Sequence, residues 1–68
     1  MEPRYRYQLK GKIIASGYKT VKEFSKRTGI TEARLSSIIR GYEWPRQGDF
    51  RALAQGLNLT FNELEAIL

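Results

Sequence analysis

The sequence predicts an all-α domain of five short helices, and three observations carry that prediction. Thr20 with Glu23 and Thr60 with Glu63 show the spacing at which a hydroxyl and a carboxylate cap a helix start reciprocally. Apolar residues recur at helical intervals, most plainly Phe50, Leu53, Ala54 and Leu57. The chain has 68 residues with no Cys and no His, so neither a disulfide nor a Cys/His metal site can staple it, and closely packed short helices must supply the core.

Taken in order, Tyr7 to Ser16 is the first helix, with Leu9, Ile13 and Ile14 as its apolar positions and Gly17 at its end. The second starts at the Thr20 cap and runs to Thr28, where Gly29 breaks the pattern. Thr31 caps the third, which ends at Arg40 with Gly41 as its stop. Ile30 and Leu35 form a hydrophobic staple across the Thr31 cap, fixing the angle at which the chain enters that helix. Tyr42 to Arg46 is a loop, because Pro45 disfavours helix at Trp44. The fourth helix spans Gln47 to Gly56. The fifth follows the Thr60 cap, with Leu59 and Leu64 repeating the staple, and runs to the end. No repeat or linker divides the chain, so residues 1–68 form one domain in which 1–6 read as an N-terminal arm.

Charge is unevenly placed. The net formal charge is +5, of which residues 1–27 hold +6, residues 28–51 hold +1 and residues 52–68 hold −2. A polyanion bound by the first two thirds accounts for this asymmetry, since neutralising phosphates releases condensed counterions; solubility is the simpler alternative. No apolar run approaches the roughly 20 residues of a membrane span, and Met1 to Arg4 lacks the layout of a signal peptide. A complete, soluble, cytoplasmic protein is therefore expected. Without Cys, His or a glycine-rich phosphate loop, and with carboxylates scattered or used as caps, no enzyme, metal site, cofactor or small-molecule ligand is expected.

The second and third helices, joined by about three residues, have the geometry that inserts a helix into DNA. Phe24 begins the buried side of the first of them. Ser25 is small enough to let its partner approach, Gly29 can take the positive φ of the sharp turn, and Ile30, Leu35 and Ile38 plug the angle between the two. With the motif FSKRTGITEARLSSIIRG and the closing LAQGLNLTFNELEAIL, the sequence resembles the Cro/repressor-type (XRE-like, lambda-repressor-like) helix-turn-helix family over nearly its whole length.

Three departures stand out. Val21 replaces a usual Gln and loses a side-chain phosphate contact, Thr28 replaces an apolar residue, and Ile13 and Ile39 occupy positions where several members pair an Arg with a Glu. These two isoleucines are expected to pack together. The resemblance implies base contacts at Glu32, Ala33 and Ser37, with Thr31, Arg34, Ser36 and Arg40 beside them on bases or backbone. Glu32 can accept from a cytosine amino group or serve as a favourable charge at a helix start; Ala33 can touch a thymine methyl, and Arg34 suits guanine or phosphate.

Lys19, Thr20 and Lys22 near the start of the second helix, and Tyr42, Trp44 and Arg46 in the following loop, are backbone candidates. Trp44 can instead cap the core. Arg4 and Arg6 belong to the arm, which either follows the DNA or frays. Ile67 and Leu68 either close the core or pair two copies, so that two recognition helices meet half-sites about 34 Å apart. The expected function is sequence-specific binding to a double-stranded operator as a phage-type or bacterial regulator, a repressor, acting as a homodimer at least on DNA. The alternative is a protein-interaction module such as an antitoxin or adaptor with the same fold.

Overall fold

The computed structural model describes residues 4–68, in which five helices and no strand occur: α1 (Tyr7–Ala15), α2 (Val21–Thr28), α3 (Glu32–Arg40), α4 (Gln47–Leu57) and α5 (Phe61–Ile67). This is the all-α, five-helix arrangement expected. None of the described helices is long and apolar enough to cross a membrane.

The threonine caps form as their spacing predicts. Thr20, Thr31 and Thr60 hydroxyls each accept the amide proton three residues on, at 3.2 Å. Glu63 completes its box by accepting the Thr60 amide at 3.0 Å. Glu23 reaches one residue further back and takes the Lys19 amide at 2.9 Å, so the carboxylate also fixes the residue before the cap.

Eleven apolar residues from all five helices and the α2–α3 turn make one core: Leu9, Ile13, Phe24, Ile30, Leu35, Ile38, Ile39, Leu53, Ala54, Leu57 and Leu64. Ile13 and Ile39 are both buried in it, on α1 and α3, which pack together. Ile14 departs from expectation. It is 58 % exposed, because Leu9 and Ile13 already fill the single stripe of α1 that faces inward.

Gly56 does not end α4. The helix continues to Leu57 and stops at Asn58 in the left-handed conformation. A Cβ at Gly56 would come within 2.9 Å of the Phe24 ring and 3.0 Å of the Thr28 methyl, so this glycine serves the close approach of α4 to α2. The Thr28 methyl fills that contact, while its hydroxyl donates to Phe24 O at 3.0 Å and accepts the Ile30 amide at 3.2 Å. The residue that departs from the apolar pattern thus packs and ties the turn at once. Tyr18 stacks edge-on to Phe24 and donates its hydroxyl proton to Gly56 O, closing the same region from the other side.

Of the arm expected over residues 1–6, Met1 to Pro3 lie outside the described residues, and Arg4 to Arg6 form a docked strap. The Arg6 amide donates to Ile39 O at 2.7 Å, and its guanidinium donates to Ile38 O and Glu43 O. Arg4 crosses directly over Gly41, whose φ is +88° and whose missing Cβ leaves room for the Arg4 carbonyl.

Candidate nucleic-acid interface

The α2–α3 turn is built from short-range bonds. Gly29 adopts φ +80°, which ends α2, and the Ser25 hydroxyl donates to Ile30 O, holding the turn against α2. Ile30 and Leu35 are buried beneath it. With Leu35, Ile38 and Ile39 all facing the core, helical periodicity forces the opposite edge of α3 outward. That edge carries Glu32, Ala33 and Arg40, all exposed, with Ser36 and Ser37 half-buried and the Thr31 cap exposed at its start.

Beside this edge lies a shallow groove lined by Tyr5, Lys10, Val21, Glu32, Ser36 and Arg40. It joins the strap, α1, the start of α2 and α3 into one surface. Lys10 is a residue that motif reasoning missed; the basic first third of the chain was its only signal. Lys19, Thr20 and Lys22 are exposed at the start of α2. The Thr20 oxygen is occupied as the cap, yet its hydroxyl proton is still available to an acceptor. Val21 is half-buried against the core and offers no polar contact.

Among the described residues, the cations divide into those without and those with an acceptor partner. Arg40 is exposed in the last turn of α3, where the helix dipole favours a positive charge, and Arg4 is exposed on the strap. Arg6 is engaged with the two carbonyls and lies 5.3 Å from the Trp44 ring centroid. Partial burial lowers its pKa from the usual arginine value.

Arg34, the residue whose chemistry best suits guanine or phosphate, is also engaged: its guanidinium pairs with the Asp49 carboxylate and lies 3.6 Å from Glu43. The same Asp49 oxygen accepts the Arg46 amide at 3.2 Å, capping α4. Asp49 too was missed, although its place three residues after Arg46 is a helix-start position for an acid.

Trp44 is 57 % exposed and does not cap the core; it covers Arg6 instead. Tyr42 is 67 % exposed beside it, and Arg46 is exposed at the start of α4. Ile67 and Leu68 are half-buried against the core and, with Ala66, border a groove whose other wall is Arg4 to Gln8, including the exposed Tyr7. Among the described residues, no cluster of acids that could hold a metal ion occurs.

A helix-turn-helix family model matches residues 13–64, which takes in four fifths of the described chain, from α1 into α5. Neither the curated proteins nor the solved structures yield a match. The matched span contains the turn at Gly29, the outward edge of α3 and the two closing helices, and on that basis the chain belongs to the Cro/repressor-type (XRE-like) helix-turn-helix family of DNA-binding transcription regulators.

Proposed function

We propose that this domain binds a specific double-stranded operator by inserting α3 into the major groove, and represses transcription by occupying that site in a bacterial or phage-infected cell. The observation that carries this reading is the outward edge of α3 set beside the cationic start of α2. Glu32, Ala33, Ser36 and Ser37 read base edges, while Arg40 and Thr31 lie on the flanking backbone. Lys10, Lys19, Thr20 and Lys22 meet phosphates on one side, and Tyr42, Trp44, Arg46 and Arg4 on the other. A second copy pairs through the α5 end near Ile67 and Leu68, which sets two α3 helices on half-sites about 34 Å apart.

Selection of bound duplexes from a random pool tests this directly. The expected result is an enriched inverted repeat whose centres lie about one helical turn apart, bound more weakly by Arg40→Ala and with affinity falling steeply as salt rises. Enrichment of no sequence, with salt-insensitive capture of a protein instead, would replace this reading by the interaction-module one.

A further inference from the structure

We propose that Asp49, assisted by Glu43, determines specificity by holding the Arg34 guanidinium on the protein and off the DNA phosphates. The proposal rests on the DNA-binding reading above. Arg34 sits in the first turn of α3 directly after Glu32 and Ala33, where an unpaired cation would meet the duplex. Instead its side chain is three-quarters covered, at 26 % exposure, and Asp49 is more covered still, at 17 %. Solvent and salt screen such a pair less than an exposed one.

Asp49 is itself fixed, because the oxygen that meets Arg34 also caps α4 through the Arg46 amide. Glu43 approaches the other guanidinium nitrogen from the α3–α4 loop. Asp49 therefore holds Arg34 by a charge-assisted hydrogen bond, and Glu43 adds a second negative charge at 3.6 Å. Arg40, on the same helix, is exposed and makes no ion pair among the described residues.

A released Arg34 adds a contact that carries no sequence information. Non-specific affinity then rises, and the ratio of specific to non-specific binding falls. Asp49 thus acts on specificity as a positioning residue, without touching DNA.

The test measures binding of a non-specific duplex by fluorescence anisotropy between 50 and 200 mM salt for the wild type, Asp49→Asn, Arg34→Ala and the double variant. Asn keeps an oxygen for the Arg46 amide, so the α4 cap survives. Asp49→Asn is expected to steepen the log–log salt slope by about 1, an extra loss of about 4-fold across that range. Arg34→Ala keeps the wild-type slope, and the double variant returns to it. Glu43→Gln gives a smaller change of the same sign and serves if Asp49→Asn fails to fold.

A flatter slope in Arg34→Ala alone, an unchanged slope in Asp49→Asn, or a steepening that persists without Arg34 overturns the proposal. If the wild type binds no duplex, the DNA-binding reading falls. The clamp is then judged in the free protein from the Arg34 Nη–H resonances, whose slowed exchange with water must be lost in Asp49→Asn for the clamp to stand.

Discussion

The three residues between α2 and α3 and the six between α3 and α4 both turn the chain sharply, but different parts of the molecule hold them. Gly29 to Thr31 is tied by Ser25, Thr28 and its own amides, all within a few positions in sequence. Gly41 to Arg46 begins with local amide bonds, Gly41 to Ile38 O and Tyr42 to Ser37 O. It is also held by Arg6, which reaches Glu43 O across 37 residues and Ile38 O, just before the loop, across 32, and by Asp49 through its bonds to Arg34 and the Arg46 amide. The first turn is a local device that sets the angle of the recognition helix. The second is a tertiary one, through which the N-terminal strap and α4 fix the far end of that helix. A change in the strap can therefore reach the α3 edge without passing through the α2–α3 turn.

The two glycines give the sharpest way to break the comparison. Gly29 and Gly41 have similar positive φ, but a Cβ at Gly29 meets nothing within 4 Å, whereas one at Gly41 collides with the Arg4 carbonyl. Gly41→Ala is expected to cost about 3 kcal/mol, combining backbone strain with a displaced strap, and Gly29→Ala about 1 kcal/mol from strain alone. Thermal or urea unfolding of both measures the gap, which should close when residues 1–6 are deleted from each. Equal costs in the full chain would mean that the strap does not press on Gly41.

Hydrogen bonds separate the turns on a smaller scale. Arg6→Ala removes two bonds from a cation to carbonyls and is expected to cost about 2 kcal/mol, while Ser25→Ala removes one neutral bond and is expected to cost about 1 kcal/mol. Amide exchange sharpens the contrast: Arg6→Ala should speed exchange around Gly41 and Tyr42, and Ser25→Ala around Gly29 to Thr31. Exchange that rises uniformly in either variant would deny the turns separate supports.

The smallest effect concerns the α5 cap. Glu63 accepts the Thr60 amide and is held below the usual glutamate pKa, chiefly by that backbone bond, then by the Thr60 hydroxyl, with a further contribution from Lys12. Because the folded value is depressed, the stabilisation is complete above the unfolded value of about 4.3 and is lost as pH falls through the folded one. A titration by NMR should place the Glu63 midpoint below the ordinary glutamate value, and Glu63→Gln should remove this acid sensitivity while keeping the helix.

The helices were legible because their signals are short-range. A Thr cap needs only an amide three residues away, so Thr20, Thr31 and Thr60 marked three helix starts unaided, and Leu53, Ala54 and Leu57 declared their buried face by spacing. The outward edge of α3 followed from the same periodicity, once Leu35 and Ile38 were assigned inward. Local pattern failed where a residue's partner lies far along the chain. Ile14 has the spacing of a core residue, yet Leu9 and Ile13 fill the available space. Gly56 looks like a stop, and its use is visible only when Phe24 and Thr28 of α2 are set against it. Trp44 faces out with Arg6, from 38 residues earlier in the chain, lying against its ring.

By itself, then, the amino-acid order determined the five helices, their caps, the turn at Gly29 and the polar edge that α3 shows to solvent, since each depends on backbone groups within about one helical turn. Tertiary structure alone decided which cations remain available at that edge. Arg34 and Arg40 are equally basic in sequence, and only the folding of α4 and the α3–α4 loop against α3 brings Asp49 and Glu43 to one of them and leaves the other exposed.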